Sequence, residues 1–129
     1  MWEIELLPEF AEWWQGLPPD AREAIGHDLD LLVSRGPFLG RPFADTVRGS
    51  RFANMKELRT MHHGCILGRQ YRSLFAFDPR RRAIVLVGGD KSGDARFYDR
   101  MIARADGLFA EHLYRLGRDG GGSPERKRS

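Results

Sequence analysis

The sequence predicts an α+β fold, in which a helical hairpin and a final helix pack on a small, mainly antiparallel sheet. The N-terminal residues alternate between polar and apolar, as in a half-buried strand, and two amphipathic stretches follow them. A group of three strand-like segments then precedes a last amphipathic stretch. Strands grouped after a helical hairpin favour an antiparallel sheet with helices packed on it.

The first half of the chain predicts a strand and two helices. Residues 2–7 alternate with a period of two, and Pro8 then opens a short helix. Asp20 is expected to cap the second helix, with Glu23 completing a capping box, and Gly36 is expected to end it. The residues predicted on the apolar faces of the two helices are Phe10, Trp13, Trp14 and Leu17, then Ala21, Ile25, Leu29 and Leu32.

The second half predicts three strands and one helix. A long connection over 36–50 leads to strands expected at 53–60, 68–78 and 83–87. The last of these is a continuous apolar run, typical of a strand buried on both faces. Residues 88–93 are rich in glycine and are expected to form a loop. The final helix is expected to have Asp94 as its cap and Ile102, Ala105, Phe109, Leu113 and Leu116 on its buried face.

Length and charge predict one domain and a local binding site. The 129 residues suit a single domain, expected over 1–117, followed by a polar, basic tail over 118–129 that is expected to be disordered. This tail holds four basic and two acidic residues, so it supplies +2 of the net charge of +3. The charge of the whole chain is therefore a weak argument for nucleic acid binding, and any phosphate site must be local.

Several classes of protein are not expected from the sequence. A single cysteine, Cys65, allows no internal disulfide and fits a reducing cytoplasm. The N-terminus lacks the basic start and apolar run of a signal peptide, and no stretch approaches the roughly 18 apolar residues that span a membrane. The glycine-rich loop lacks the spacing of a Walker A motif, which argues against an NTPase.

Two predicted neighbouring strands carry the first candidate site. If Leu58 faces the core, alternation places Lys56 on the same side and turns Glu57 and Arg59 to the other face. Arg72 lies in the next predicted strand, so a hairpin would bring Arg59 and Arg72 close together. Two guanidinium groups repel at short range unless an anion lies between them, which indicates a phosphate site. The alternatives are that Glu57 neutralises one arginine, or that these residues form a solvated strand edge.

The loop over 88–93 and the helix after it supply a second candidate group. A glycine-rich loop entering a helix N-terminus offers backbone N–H groups to an anion, and Lys91 adds a cation. Tyr98 lies in the first turn of the helix, where its ring is expected either to stack on an RNA base or to be an ordinary core residue. His62, His63 and Cys65 are candidate zinc ligands, but no fourth ligand pattern is present, so no metal is predicted.

Several short segments between residues 2 and 116 follow one another in a characteristic order: 36–42, 49–50, 56–59, 71–72, 75–79 and 88–91, then Tyr98, 105–106 and 112–113. Their ordered succession resembles the phage-derived, HigB-like branch of the RelE/ParE toxin superfamily. The resemblance implies a RelE-like fold and a ribosome-dependent endoribonuclease, an mRNA interferase that needs no metal or other cofactor. It also implies three partners: a HigA-like helix-turn-helix antitoxin, the ribosome and mRNA.

The resemblance also implies roles for individual residues. Arg72 corresponds to the central arginine of the family, Arg59 to a basic position on the preceding strand and Lys91 to the cation of the last loop. Tyr98 corresponds to the aromatic near the final helix, and Glu57 is the candidate carboxylate base. Additional RNA-binding positions are expected at Lys56, Arg69 and Arg48. The alternatives are a ParE-like toxin that inhibits DNA gyrase without cutting RNA, and a non-catalytic RNA-binding or protein-binding module.

Overall fold

A computed structural model describes residues 1–60 and 68–119 of the chain, and its architecture confirms the predicted α+β class. In these two ranges three helices and five strands follow one another, with a short 3-10 turn after the second helix. No helix in these ranges is long and apolar enough to cross a bilayer. The elements are β1 (Glu3–Leu6), α1 (Pro8–Gln15), α2 (Pro19–Arg35), the turn Gly36–Phe38, β2 (Ala44–Thr46), β3 (Lys56–Arg59), β4 (Tyr71–Phe77), β5 (Arg82–Asp90) and α3 (Phe97–Asp119).

The five strands form one sheet in the order β1-β5-β4-β3-β2. Strand β1 runs parallel to β5, with Leu6 opposite Val85, and the other three pairs are antiparallel. The β3–β4 pair sets Arg59 directly opposite Arg72, as the predicted hairpin requires. Strands β1 and β2 are therefore the two edges, and the two strands with the longest apolar runs lie inside the sheet.

Helices cover both faces of this sheet. On one face, α1 and α2 pack through Phe10 and Ile25, which are fully buried against alternate residues of β4 and β5. On the other face, α3 packs through Ala105 and Phe109 onto the intervening residues of the same strands. The predicted burial of β5 on both faces is confirmed, since Ala83 through Val87 are all at most 2% exposed.

Two features of the first half differ from the expectation. The connection over 36–50 contains a strand, β2, which pairs with β3. Helix α2 begins at Pro19, with Pro18 in the cap position, so the predicted capping box of Asp20 and Glu23 is wrong. Asp20 instead accepts a hydrogen bond from the N–H of Ala21, and proline fits the first helical turn because its φ is fixed and its missing N–H would have no helical partner.

The predicted glycine-rich loop is wrong in its first half, because β5 continues through Gly88 and Gly89 to Asp90. A Cβ on Gly88 would lie 2.2 Å from the Trp13 ring, and one on Gly89 would lie 2.8 Å from the Phe97 ring. The two glycines thus let aromatic rings from α1 and α3 approach the strand closely.

Helix α3 begins later along the chain than predicted and also ends later. Asp94 lies three residues before its first residue, and the Asp94 carboxylate accepts a hydrogen bond from the N–H of Arg96 at 3.1 Å instead of capping the helix directly. The helix runs on to Asp119, so the predicted domain boundary at 117 falls inside it. Residues 120–129 of the predicted tail, and the His62, His63 and Cys65 group, lie outside the described residues.

Candidate active site

The site lies on the α3 side of the sheet, where β3 and β4 pair. Arg59 and Arg72 are opposite each other in the antiparallel register, and Glu57 lies two residues before Arg59 on the same face. Leu58 points the other way into the core that α1 and α2 cover, with no exposed surface. The alternation predicted from the sequence therefore brings Glu57, Arg59 and Arg72 together.

Glu57 lies between the two arginines. Its Oε2 accepts a hydrogen bond from Arg59 Nε at 3.0 Å, and its Oε1 lies 3.7 Å from Arg72 Nε. Only 4% of Glu57 is exposed, so these contacts form largely away from water. The anion between the two guanidinium groups in this structure is thus the Glu57 carboxylate, which contacts both arginines and not just one of them.

Tyr98 connects α3 to this carboxylate. Its hydroxyl donates a hydrogen bond to Glu57 Oε1 at 2.6 Å. Burial, followed by the hydrogen bond to Glu57 and the charge of Glu57, raises the pKa of Tyr98 above its ordinary value. The hydroxyl therefore keeps its proton at neutral pH and acts as a donor to Glu57. Tyr98 is therefore a half-buried residue whose hydroxyl joins the site, and not a plain core residue.

Lys91 lies beside Tyr98, directly after the end of β5. Its ammonium nitrogen is 5.3 Å from the centre of the Tyr98 ring, within the range of a cation–π contact. Its backbone N–H donates to the carbonyl of Gln70, which ties the loop to the start of β4. Lys91 thus joins the group as predicted, although Gly88 and Gly89 are strand residues and offer no cradle for an anion.

Asp90 organises the backbone around Lys91. Its carboxylate accepts hydrogen bonds from Arg69 Nη1 and the Gln70 N–H, each at 3.0 Å, and from the Ser92 hydroxyl at 2.6 Å. Burial acts to raise the pKa of Asp90, but these hydrogen bonds together outweigh it and lower the pKa to about 2. Arg69, a predicted RNA-binding residue, is therefore held next to Lys91 with its side chain 60% exposed.

Arg72 is the most enclosed cation of the group. Its side chain is 11% exposed, and Nη1 donates to the backbone carbonyl of Tyr71 at 3.0 Å. Its Nε is buried and has no hydrogen-bond partner among the described residues. A buried donor without a hydrogen-bond acceptor is costly, and the longer 3.7 Å ion pair with Glu57 Oε1 offsets part of that cost.

Asp45 is a member of the site that the sequence did not reveal. It lies on β2, and its Oδ2 is 3.4 Å from Arg59 Nη2 and 3.0 Å from Arg41 Nε. A hydrogen bond from the Thr46 N–H contributes most to the lowered pKa of Asp45. Arg59 therefore contacts two carboxylates, those of Glu57 and Asp45. Strand β2 has only three residues, too few to be recognised from its pattern.

Two predicted RNA-binding residues are not brought into this group. Lys56 pairs with Phe75, and alternation along β3 turns it away from the face that carries Glu57. Arg48 is exposed in the connection between β2 and β3. That connection is held to α3 by Asp106, whose carboxylate accepts hydrogen bonds from the Ser50 hydroxyl at 2.5 Å and the Arg51 N–H at 2.9 Å.

The chemistry available at the site is that of a carboxylate, a phenol, two guanidinium groups and an ammonium group on one face. In the described part of the chain, no three His, Cys, Asp or Glu side chains are grouped to hold a metal ion. Arginine presents paired donors that match the oxygens of a phosphate, and a carboxylate next to it can accept a proton. The arrangement is suited to binding a phosphodiester and to moving a proton beside it.

Comparison with known proteins gives a consistent family. A family model described as phage-derived protein Gp49-like matches residues 12–110. HigB2 of Mycobacterium tuberculosis, named as a toxin, is 47% identical over 108 residues, which are 83% of this chain and 52% of HigB2. HigB3 of the same organism, also named as a toxin, is 48% identical over 104 residues, 80% of this chain and 86% of HigB3. The chain thus spans about half the length of HigB2 and most of HigB3.

Solved structures show the same fold at low sequence identity. The isolated RelE toxin of E. coli matches 81% of this chain and 98% of its own chain, with a TM-score of 0.56 and 13% identity. A chain of the intact E. coli RelBE toxin–antitoxin complex matches 69% of this chain and 95% of its own, with a TM-score of 0.50 and 12% identity. These matches support the fold predicted for the chain.

Together, the sheet order and these solved structures give the chain a RelE-like fold. The chain belongs to the phage-derived Gp49-like family, and its similarity to HigB2 and HigB3 makes it a HigB-like member.

Proposed function

We propose that this chain is the toxin of a type II toxin–antitoxin pair, and that it is an endoribonuclease that cuts messenger RNA on the ribosome in the cytoplasm. The observation that carries the proposal is the placement of Glu57, a buried carboxylate that contacts Arg59, Arg72 and Tyr98 on one face of the sheet. The toxin names of HigB2 and HigB3 and the RelE fold support the same reading.

The reaction is an attack of the RNA on its own backbone, without a metal ion. The 2′-oxygen forms a bond to the adjacent phosphorus, and the bond from phosphorus to the 5′-oxygen of the next nucleotide breaks. The products are a 2′,3′-cyclic phosphate and a 5′-hydroxyl end. Such a reaction needs a base for the 2′-proton, cations for the crowded phosphate oxygens and an acid for the leaving oxygen.

Glu57 is assigned as the base that accepts the proton of the 2′-hydroxyl. Tyr98 orients it, because the 2.6 Å hydrogen bond fixes Oε1 and leaves Oε2 towards Arg59. Arg72 and Arg59 bind the phosphate oxygens, where each donor aimed at developing charge is worth roughly 2.7–4 kcal/mol. In this step Arg59 exchanges part of its contact with Glu57 and Asp45 for the phosphate.

Lys91 is assigned as the acid that protonates the leaving 5′-oxygen. The raised pKa of Tyr98 makes its hydroxyl a weak acid, and guanidinium groups do not give up protons in proteins. An ammonium group beside Tyr98 is therefore the suitable proton donor at this site. The proton that leaves the 2′-oxygen ends on Glu57, and the proton that reaches the 5′-oxygen comes from Lys91.

The partners are assigned from the relatives. A chain with the RelE fold occurs in the RelBE toxin–antitoxin complex of E. coli, which supports an antitoxin that silences this chain. For the HigB branch we propose a helix-turn-helix antitoxin of the HigA kind. The ribosome would position the messenger RNA, so that weak activity on free RNA is expected.

The test is to express the chain without its antitoxin in bacterial cells and to map new RNA ends and DNA damage. We expect growth arrest and new 5′-hydroxyl ends inside codons of translated messages, and no such ends with Arg72→Ala. The fold of the variant is checked by circular dichroism, and Arg22→Ala, an exposed arginine on α2, is the control that stays toxic. DNA damage without RNA cuts, or new RNA ends with Arg72→Ala at the wild-type level, would overturn the proposal.

A further inference from the structure

A second cationic surface lies at the other end of β5 from Lys91. It is formed by the turn between β4 and β5, the N-terminus and the 3-10 turn after α2, and we call it the hairpin surface: Met1, Trp2, Phe38, Arg80 and Arg81. The site residue Lys91 directly follows the last residue of β5, whereas Arg80 and Arg81 directly precede its first residue. The nine residues of this strand separate the two surfaces by roughly 25 Å.

The three consecutive arginines of this turn have different surroundings. Arg82 is fixed by Asp78 Oδ2 at 3.0 Å and by Glu5 Oε1 at 3.2 Å, so its charge is matched by the fold. Arg80 and Arg81 are exposed and form no ion pair with any residue in 1–60 or 68–119. Arg80 and Arg81 are therefore available to bind a partner, whereas Arg82 stabilises the hairpin.

Arg81 has an unfavourable backbone conformation. Its φ of 65° is the only positive value at a non-glycine residue in the described ranges. Glycine would take up this conformation more readily, because it lacks the Cβ that crowds the left-handed region. Strain of this kind is concentrated at functional sites, where a side chain is required at a position that its backbone disfavours.

Trp2 gives Arg81 a fixed platform. The guanidinium carbon of Arg81 lies 4.9 Å from the centre of the Trp2 ring, in a cation–π contact. The ring packs on Gly36, where a Cβ would lie 2.4 Å from it, and against the edge of Phe77 at 5.9 Å. The Arg81 charge is thus held in one direction while it stays exposed.

An aromatic side chain and a depression complete the surface. Phe38 is 85% exposed, in the 3-10 turn whose Gly36 backs the Trp2 ring. A shallow depression of about 390 Å³ is lined by Met1, Trp2, Glu3, Arg80 and Arg81, so Glu3 is its one acidic residue. Phe38 is linked to the arginines through the Gly36–Trp2 contact, and exposed guanidinium groups and an exposed ring match phosphates and unstacked bases respectively.

We propose that the hairpin surface binds RNA outside the segment that is cleaved, through phosphate contacts of Arg80 and Arg81 and stacking of a base on Phe38. The proposal extends the proposed function, since it takes RNA as the partner of a second surface. Because roughly 25 Å separate this surface from Lys91, its contacts contribute to the affinity for RNA and not to the chemical step.

The test measures binding of a fluorescent, single-stranded 2′-O-methyl RNA, which cannot be cut by attack of its own 2′-oxygen. We expect Arg80→Ala with Arg81→Gly to weaken binding by roughly tenfold or more and to lower the salt dependence by about 1.4, since each lost phosphate contact on a single strand removes about 0.7. Phe38→Ala is expected to weaken binding without changing the salt dependence. Arg22→Ala removes another exposed arginine, near the N-terminus of α2 and outside the hairpin surface, and is the matched control that is expected to bind like the wild type.

Arg81→Gly separates an RNA-binding role from a structural one. Relief of the positive φ predicts an unchanged or higher melting temperature together with weaker RNA binding. A melting temperature that falls while RNA binding is unchanged would show that Arg81 serves only the fold, and would overturn the proposal. Equal RNA affinity of the double variant and Arg22→Ala would also overturn the proposal. So would a double variant that binds RNA like the wild type but no longer binds the antitoxin.

The outcome is independent of the nuclease test. Loss of RNA binding in the double variant, with no messenger RNA cleavage by the wild type, would leave the hairpin surface as an RNA site and remove the proposed function. Cleavage by the wild type, with unchanged RNA binding in the double variant, would support the proposed function and overturn the RNA-binding role of the hairpin surface.

Discussion

The hydroxyl of Tyr98 and the carboxylate of Glu57 are joined by a 2.6 Å hydrogen bond that connects the first turn of α3 to β3. The two residues are 41 positions apart, and the bond is partly buried. Because Glu57 also contacts Arg59 and Arg72, this one bond aligns α3 with both cation-bearing strands. The position of the proposed base therefore depends on a helix that packs across the sheet.

Tyr98→Phe should reduce catalysis more than it reduces stability. The variant removes the donor to Glu57 but keeps the ring that packs on Phe97 at 5.2 Å and lies under Lys91. A hydrogen bond to a charged group contributes roughly 1.5–3 kcal/mol, so we expect cleavage of messenger RNA on ribosomes to slow by about 10- to 100-fold. Single-turnover rates and the melting temperature are the measurements. An unchanged rate would show that Tyr98 does not position Glu57.

Gly88→Ala should destabilise the fold, because its Cβ would lie 2.2 Å from the Trp13 ring. Overpacking of this kind costs about 1–3 kcal/mol. Gly107→Ala is the matched control: it lies in α3 with no heavy atom within 4 Å of the added Cβ, and it should stabilise the protein by about 0.5–1 kcal/mol. Urea denaturation measures both. Equal stability of the two variants would show that the packing of Trp13 on β5 does not depend on a glycine at position 88.

Asp90→Asn should remove a pH-dependent contribution to stability. The pKa of Asp90 is lowered from 3.8 to about 2 in the folded chain, because its hydrogen bonds to Ser92, Gln70 and Arg69 outweigh the effect of burial. A carboxylate with a lowered folded pKa stabilises the fold fully above about pH 5, and this contribution is lost as pH falls through 3.8 towards 2. The shift corresponds to about 2 kcal/mol at neutral pH.

The check is the free energy of unfolding of wild type and Asp90→Asn between about pH 7 and pH 2. The wild type should lose its advantage over the variant as the pH falls. Asp99→Asn, at a side chain that is 76% exposed, is the control and should follow the wild type. Parallel curves for wild type and Asp90→Asn would contradict the assignment.

The sequence pattern predicted those elements in which buried residues recur with the period of the helix or strand. The stripe that includes Ile25 and Leu32 lies on the buried face of α2, and the run 83–87 forms a strand covered on both sides, because both patterns match the period of their element. Alternation along 56–59 placed Glu57 and Arg59 on the face of Arg72, since a strand has only two faces.

The remaining features depend on tertiary contacts that a local pattern does not contain. The three residues of β2 are held by pairing with β3, and Asp45 entered the site with them. Gly88 and Gly89 have loop-like composition, yet they are strand residues on which the aromatic rings of Trp13 from α1 and Phe97 from α3 pack closely. The direct contact of Glu57 with Tyr98 likewise arises from packing of α3 on the sheet, which alternation alone does not specify.

The most direct measurement of the proposed reaction uses purified protein, ribosomes and a defined messenger RNA. One nucleotide, immediately 5′ of a mapped cleavage site, is replaced by its 2′-deoxy form, and the products at this bond are compared with those at neighbouring sites. If the 2′-oxygen is the attacking group, this bond stays intact while neighbouring bonds are cut, and Arg72→Ala slows cleavage everywhere by roughly a hundredfold or more. Cleavage of the 2′-deoxy bond at the normal rate would contradict attack by the 2′-oxygen, and with it the roles given to Glu57 and Arg72.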